Sequence, residues 1–302
     1  MAHTTVLLHA SIDGLELKAG DVFVDATING GGHSALVAER FGDAVRIIGI
    51  DADEDALKRA EARLTALKAN FALKQNNFRN LDAVLDELGV KEINAALFDI
   101  GLSSNQLEAG EEGMAGRGFS FQRDEPLLMT FKKNPGPEEF TAEKIVNGWD
   151  QENLEQIIRS YGEERYAGRI ARVIVEARQV APIKTTYQLV DVIRNAVPGS
   201  YQHGKIHFAT RTFQALRITV NDELMSLKDG LRKAFERLAP GGRIAVISFH
   251  SLEDRIVKLF FRSLAKEEKG ILITKKPMTP TIDELKDNRR ARSAKLRIIQ
   301  KK

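Results

Sequence analysis

Three times in the first hundred residues a short apolar run gives way to a helical repeat, and a fourth run follows. That alternation commits the chain to a parallel α/β sheet. Strands are predicted over 22–25, 45–50, 71–74 and 95–98, with helices over 34–41, 53–67 and 81–88. In the longest of these helices Leu57, Ala60, Leu64 and Leu67 recur at helical spacing. The pattern then breaks. Residues 108–125 are rich in glycine and poor in aliphatics, which reads as a long loop, and Pro135-Gly136-Pro137 is a breaker. From 138 to 197 the signals are helical, clearest over 163–180, where Ile170, Val173, Ile174 and Ala177 form one stripe. The α/β pattern returns with a helix over 224–238, a strand over 243–249, a helix over 252–264, and strands over 271–274 and 295–299. The organisation expected is one α/β domain, 1–107 with 212–302, interrupted by a mostly helical insertion over 108–211.

Composition narrows the chemistry. The 302 residues include no cysteine, which removes disulfides, thiolate metal sites and cysteine nucleophiles and fits a cytoplasmic protein. The first residues carry no signal peptide, and no apolar run is long enough for a membrane helix. Net charge is only +3, but Lys286 to Lys302 holds eight Lys/Arg against Asp287 alone, a local basic patch. His203 and His207 are four apart, but Pro198-Gly199 and Gly204 argue for a loop, and no third ligand is evident. No metal site is expected.

The first strand ends at Asp25 and runs into Thr27-Ile-Asn-Gly-Gly-Gly-His-Ser34. Glycines between a strand and a helix let backbone approach a ligand, and Gly30-x-Gly32-x-x-Ala35 loosely fits a dinucleotide fingerprint. Asp51, at the end of the next strand, stands where an acid bonds ribose hydroxyls. The ligand therefore contains a nucleoside. Asp25 selects among nucleosides: a carboxylate there repels a pyrophosphate and suits a cation. S-adenosylmethionine, with its ammonium and sulfonium, fits better than a nicotinamide dinucleotide. No Walker A pattern is present.

These residues belong to a longer series of blocks. His3-Thr-Thr-Val-Leu-Leu8, Asp25-Ala-Thr, Gly31-Gly-His-Ser34 and Asp99-Ile-Gly-Leu-Ser-Ser104 come first, then Gln106-Leu107 and Arg117-Gly-Phe-Ser-Phe121. Tyr161-Gly-Glu-Glu-Arg165, Thr212-Phe-Gln-Ala-Leu-Arg-Ile218, Ile247-Ser-Phe-His-Ser-Leu-Glu-Asp-Arg-Ile-Val-Lys258 and Arg290-Ala-Arg-Ser-Ala-Lys-Leu-Arg297 follow. In this order they resemble the RsmH (MraW) family over nearly the whole chain. The resemblance implies a class I, Rossmann-like S-adenosylmethionine-dependent methyltransferase fold with an inserted helical domain. It also implies an enzyme that methylates N4 of a decoding-centre (P-site) cytidine in bacterial 16S rRNA. The partner it implies is 16S rRNA within the small ribosomal subunit, and a homodimer is a further expectation. The family's cofactor contacts carry over onto Gly31, Gly32, His33, Asp51, Phe78, Asp99 and Gln106. The chain departs from the family pattern at Asn29 and Gly30, at Leu128 and Thr130 (an Asp and an Arg in the family), and at Phe208.

Transfer of a methyl group to N4 needs no general acid, because the leaving group departs neutral. The nucleophile is the difficulty, since its lone pair is delocalised into the ring. A hydrogen-bond acceptor on the N4 hydrogens would expose that pair. The Asp/Asn-Pro-Pro-aromatic motif of many amino-methyltransferases is absent, and Asp99-Ile100-Gly101 stands in the corresponding place. Asp99, or a nearby backbone carbonyl, is the expected acceptor. His250 is expected beside it at the end of a strand, and Ser103 and Ser104 in the base pocket. Arg165, Arg169 and Arg172 form a basic ridge opposite the apolar stripe. With Arg290 and Arg292 of the tail they are the candidate RNA contacts. The competing reading is a non-catalytic RNA-binding or ribosome-assembly protein on the same fold.

Overall fold

The computed structural model describes residues 5–101, 116–132, 135–136 and 138–302. The chain divides into two compact units, one of residues 1–104 with 224–302 and one of 105–223.

The first unit is built on seven strands: β1 (Val22–Asp25), β2 (Arg46–Asp51), β3 (Asn70–Gln75), β4 (Ile93–Asp99), β5 (Leu238–Ser248), β6 (Gly270–Leu272) and β7 (Lys295–Lys301). Their order is β3-β2-β1-β4-β5-β7-β6. Strands β1 to β5 pair in parallel, and β7 is antiparallel to both β5 and β6. This is the Rossmann-like arrangement that the family resemblance implies, built on the parallel α/β sheet that the strand–helix alternation predicts. Strand alternation explains its three layers. Val24, Ile48, Ala96, Phe98 and Val246 face a core shared with Leu81 and Leu85 of one helix, Leu227 and Leu231 of a second, and Val257 and Phe261 of a third. Phe23, Ile47, Ala95, Leu97 and Ile247 face the opposite core. There they meet Ile12, Val37 and Leu64 from α1 (Leu8–Leu15), α2 (Gly32–Phe41) and α3 (Glu54–Ala66).

The strand expected over 295–299 is present in the basic tail, and it engages several of the tail's cations. Residues 295–301 form β7, which lies inside the sheet between β5 and β6. Arg297 is buried and bonds Asp254 through Nε at 2.7 Å and Nη2 at 3.2 Å, and Lys295 Nζ lies 3.4 Å from the same carboxylate. Lys301 Nζ donates to the carbonyls of Phe235, Glu236 and Leu238.

The second unit is helical, with helices Ala142–Gly148, Gln151–Ser160, Ala167–Val180, Thr186–Ala196 and Thr210–Asn221. Side-chain caps start the first, second and fourth: Thr141 accepts from Lys144 N–H, Asp150 from Asn153 N–H, and Thr185 forms a capping box with Gln188. The helix expected from 163 begins only at Ala167, because Glu163 is left-handed (φ 49°) and breaks the turn. Arg165 is consequently off the helix, and its guanidinium lies 4.8 Å from the centroids of both the Tyr166 and Tyr201 rings. Arg169 and Arg172 remain exposed on the helix, with Arg172 3.6 Å from Glu176.

Candidate active site

Strand order reverses around β1, whose neighbours are β2 and β4, and ligands of open α/β sheets bind beyond the carboxyl ends of strands at such a point. Three acids occupy those ends here. Asp25 closes β1, Asp51 closes β2 and Asp99 closes β4.

The turn after β1 ties the three together. Thr27 Oγ1 accepts the Asp99 N–H at 2.7 Å, joining the turn to β4. Asn29 N–H donates to Asp51 Oδ2 at 2.8 Å, joining it to β2. Asn29 is left-handed (φ 49°), a conformation asparagine tolerates, so this departure from the family pattern keeps the turn. Gly31 is left-handed too (φ 72°), and a Cβ there would come 3.2 Å from Ala60 Cα. At Gly32 a Cβ would lie 2.0 Å from Thr5 Oγ1, so a side chain would displace the segment that precedes α1. Helix α2 starts here with no side-chain cap at Gly31.

Burial governs the electrostatics. It pushes Asp25 up to about 7, against hydrogen bonds from the Ser34 hydroxyl (2.7 Å) and the Thr27 backbone. It pushes Asp51 up to about 6, although the N–H groups of Asp53 (2.9 Å) and Asn29 hold that carboxyl down. Asp99 rises furthest, to about 8, through burial and then the negative charges of Asp25 and Glu253. Among the described residues no group hydrogen-bonds to the buried Asp99 Oδ1. His33 is only 4% exposed, not the surface residue its place at a helix start suggests. Its Nδ1 lies 4.0 Å from Asp99 Oδ2.

Phe78 is half-buried in a short 3-10 turn and meets Phe98 edge to face, with centroids 5.7 Å apart. His250 does not end a strand. Strand β5 stops at Ser248, and His250 caps helix Ser251–Lys266, where it forms a capping box with Glu253. Ser103, Ser104 and Gln106 lie outside the described residues, as does the Arg290 side chain. His207 stacks on Phe121 (4.4 Å) and on Phe208 (4.2 Å), so Phe208 serves an aromatic cluster of the second unit. Near Leu128 and Thr130, Asn221 clamps the backbone by donating to Met129 O and accepting from Phe131 N–H.

Thr27, Ser34 and Glu253 also shape the site, and only Glu253 has a sequence signal, the three-residue spacing from His250 that a capping box uses.

Two outcomes follow. Asp51→Ala should weaken S-adenosylmethionine binding by about 1–3 kcal/mol if the carboxylate holds the ribose. Calorimetry reads this, and unchanged affinity in a folded variant would remove Asp51 from the site. In the tail, Arg289 and Arg292 are exposed. If they neutralise phosphates, replacing both with alanine should lower the salt slope of RNA binding by about one unit per lost contact and leave cofactor affinity alone. A wild-type slope would make the segment purely structural.

The MraW methylase family matches residues 1–302. The ribosomal RNA small subunit methyltransferase H of Sulfurihydrogenibium sp. (strain YO3AOP1) is 45% identical over 296 residues, 98% of each chain. The protein of that name from Brevibacillus brevis is 41% identical over 314 residues, covering 99% of this chain and 98% of its own. A crystal structure of an rRNA methylase from Streptococcus thermophilus aligns over 99% of both chains with a TM-score of 0.46 and 15% identity. Among the described residues no helix is long and apolar enough to cross a membrane.

Proposed function

Because the chain belongs to the MraW methylase family, we propose that it methylates small-subunit ribosomal RNA, at the exocyclic N4 of a decoding-centre cytidine, with S-adenosylmethionine as donor. The observation that carries the cofactor assignment is the set of three acids at the ends of β1, β2 and β4, with Asp25 and Asp99 held near neutral pH by burial. A cation entering this space relieves the like-charge repulsion and restores the carboxylates, whereas a pyrophosphate would add to it. The left-handed backbone of Asn29 and Gly31 shapes the cradle beside them.

The cofactor supplies an electrophilic methyl group. The chain supplies orientation. Each Asp51 oxygen already accepts one backbone N–H and keeps a lone pair for a ribose hydroxyl. Asp25 is fixed by Ser34 and so presents its charge in one direction. Asp99, with one oxygen lacking a hydrogen-bond donor among the described residues, is poised to accept from the N4 hydrogens or from the cofactor's ammonium. The target base must leave any stack to reach it.

The test is transfer of labelled methyl to small subunits from a strain lacking this protein, followed by mass mapping of the modified nucleotide. One N4-methylated cytidine at the decoding centre is the expected product. Label on another base or on protein, or no transfer, would overturn the assignment.

A further inference from the structure

We propose that Glu253 is a positioning residue of the methyl-transfer site, holding the backbone beside Asp99 and bringing a second buried carboxylate to it. The proposal rests on the functional reading above and extends it to a residue one helical turn away from that site. Glu253 is 1% exposed, an unusual place for a carboxylate. Its Oε2 accepts the N–H of Phe249 at 2.9 Å and of His250 at 3.3 Å. Its Oε1 lies 3.0 Å from His250 Nε2, while His250 Nδ1 accepts the Glu253 N–H at 3.4 Å. The carboxylate therefore pins the turn that leaves β5.

That turn bears directly on β4. Ile100 N–H donates to Ile247 O at 2.9 Å, continuing the ladder one residue past Asp99. At Gly101 the backbone has φ +140°, and a Cβ would come 2.9 Å from Phe249 Cδ2, so the Phe249 ring lies against glycine backbone two residues from Asp99. A loosened 249–250 turn would release that ring and the end of β4 with it.

The second link is charge. His33 of α2 lies 4.0 Å from Asp99, and the negative charges of Asp25 at the end of β1 and of Glu253 in helix Ser251–Lys266 are felt there. Glu253 is one of the two carboxylates that disfavour its ionised form. The ionised form accepts a hydrogen bond from N4 more strongly than the neutral acid, and it alone pairs with a cation. Methyl transfer and cofactor binding should both strengthen as pH rises toward the Asp99 value of about 8.

The experiment compares wild type, Glu253→Gln and the Asp99→Asn/Glu253→Gln pair. Glutamine keeps an acceptor for the turn and removes the charge. Carboxyl NMR of the ligand-free protein should show the Asp99 titration moving to lower pH by roughly half a unit or more in Glu253→Gln. The pH midpoint of S-adenosylmethionine binding should move with it. The double variant should have lost that pH dependence. Asp99 titrating as in wild type, in a Glu253→Gln variant with unchanged melting temperature, would overturn the proposal. Failure of the functional reading is separately visible, as a wild type that titrates as described but neither binds the cofactor nor methylates rRNA.

Discussion

Asp99→Asn should slow single-turnover methylation by roughly 10²–10³-fold if Asp99 orients N4, the loss seen when one oriented stabilising group is removed. The substitution preserves shape, and the Asp99 N–H bond to Thr27 Oγ1 at 2.7 Å involves backbone that asparagine retains. What changes is the acceptor: a neutral amide oxygen replaces a carboxylate. The two roles open to Asp99 separate kinetically. If it orients N4, cofactor affinity stays near wild type and the rate stays low at saturation. If it anchors the cofactor's ammonium, affinity falls and saturating cofactor restores the rate. Rapid-quench turnover with titrated S-adenosylmethionine distinguishes them. Wild-type rate and affinity together would exclude both roles and move attention to the backbone carbonyls of Ile100 and Gly101.

Asp25, Asp51 and Asp99 were legible in the sequence because each ends an apolar run, and parallel strands bring such ends to one edge of a sheet. The glycine turn was legible for the same reason. The burial of His33 was not, since it depends on the end of β4, more than sixty residues away. The last strand was legible in the tail, where Leu296, Ile298 and Ile299 are buried, but the partners of its cations were not, because Arg297 and Lys301 bond groups 43 and 66 residues upstream. Arg165 misled through periodicity: its spacing from Arg169 and Arg172 suits a helix that begins two residues later. His250 was located at the correct edge but given the wrong element, because an apolar strand followed by Phe249 conceals where the chain turns.

Asp254→Ala should destabilise the protein by about 3–5 kcal/mol, the cost of stranding one partner of a buried ion pair. Asp254 and Arg297 side chains are 12% and 9% exposed, and the guanidinium is held by two hydrogen bonds that alanine deletes. Arg297 sits in β7 and Asp254 in the first turn of helix Ser251–Lys266, so the pair fastens the sheet to the helix that carries Glu253. The pH dependence identifies the cause. Burial alone would raise the Asp254 carboxyl, but the hydrogen bond and charge of Arg297, aided by Lys295, outweigh it and hold the group below its ordinary 3.8. A carboxyl depressed in the folded state stabilises above its unfolded value, and that stabilisation is lost as pH falls through the folded one. Asp25 and Asp99 have the opposite sign, because their raised values favour the folded state at low pH, so the wild-type curve alone mixes the two effects. Subtracting the Asp254→Ala curve removes the common part. The difference in denaturant-derived stability should be full near neutral pH and shrink below about pH 4. Arg297→Met in the Asp254→Ala background should recover part of the loss, since the stranded charge is gone. A difference under about 1 kcal/mol at neutral pH, the range of surface ion pairs, would show that solvent reaches Arg297 and that β7 is held without this ion pair.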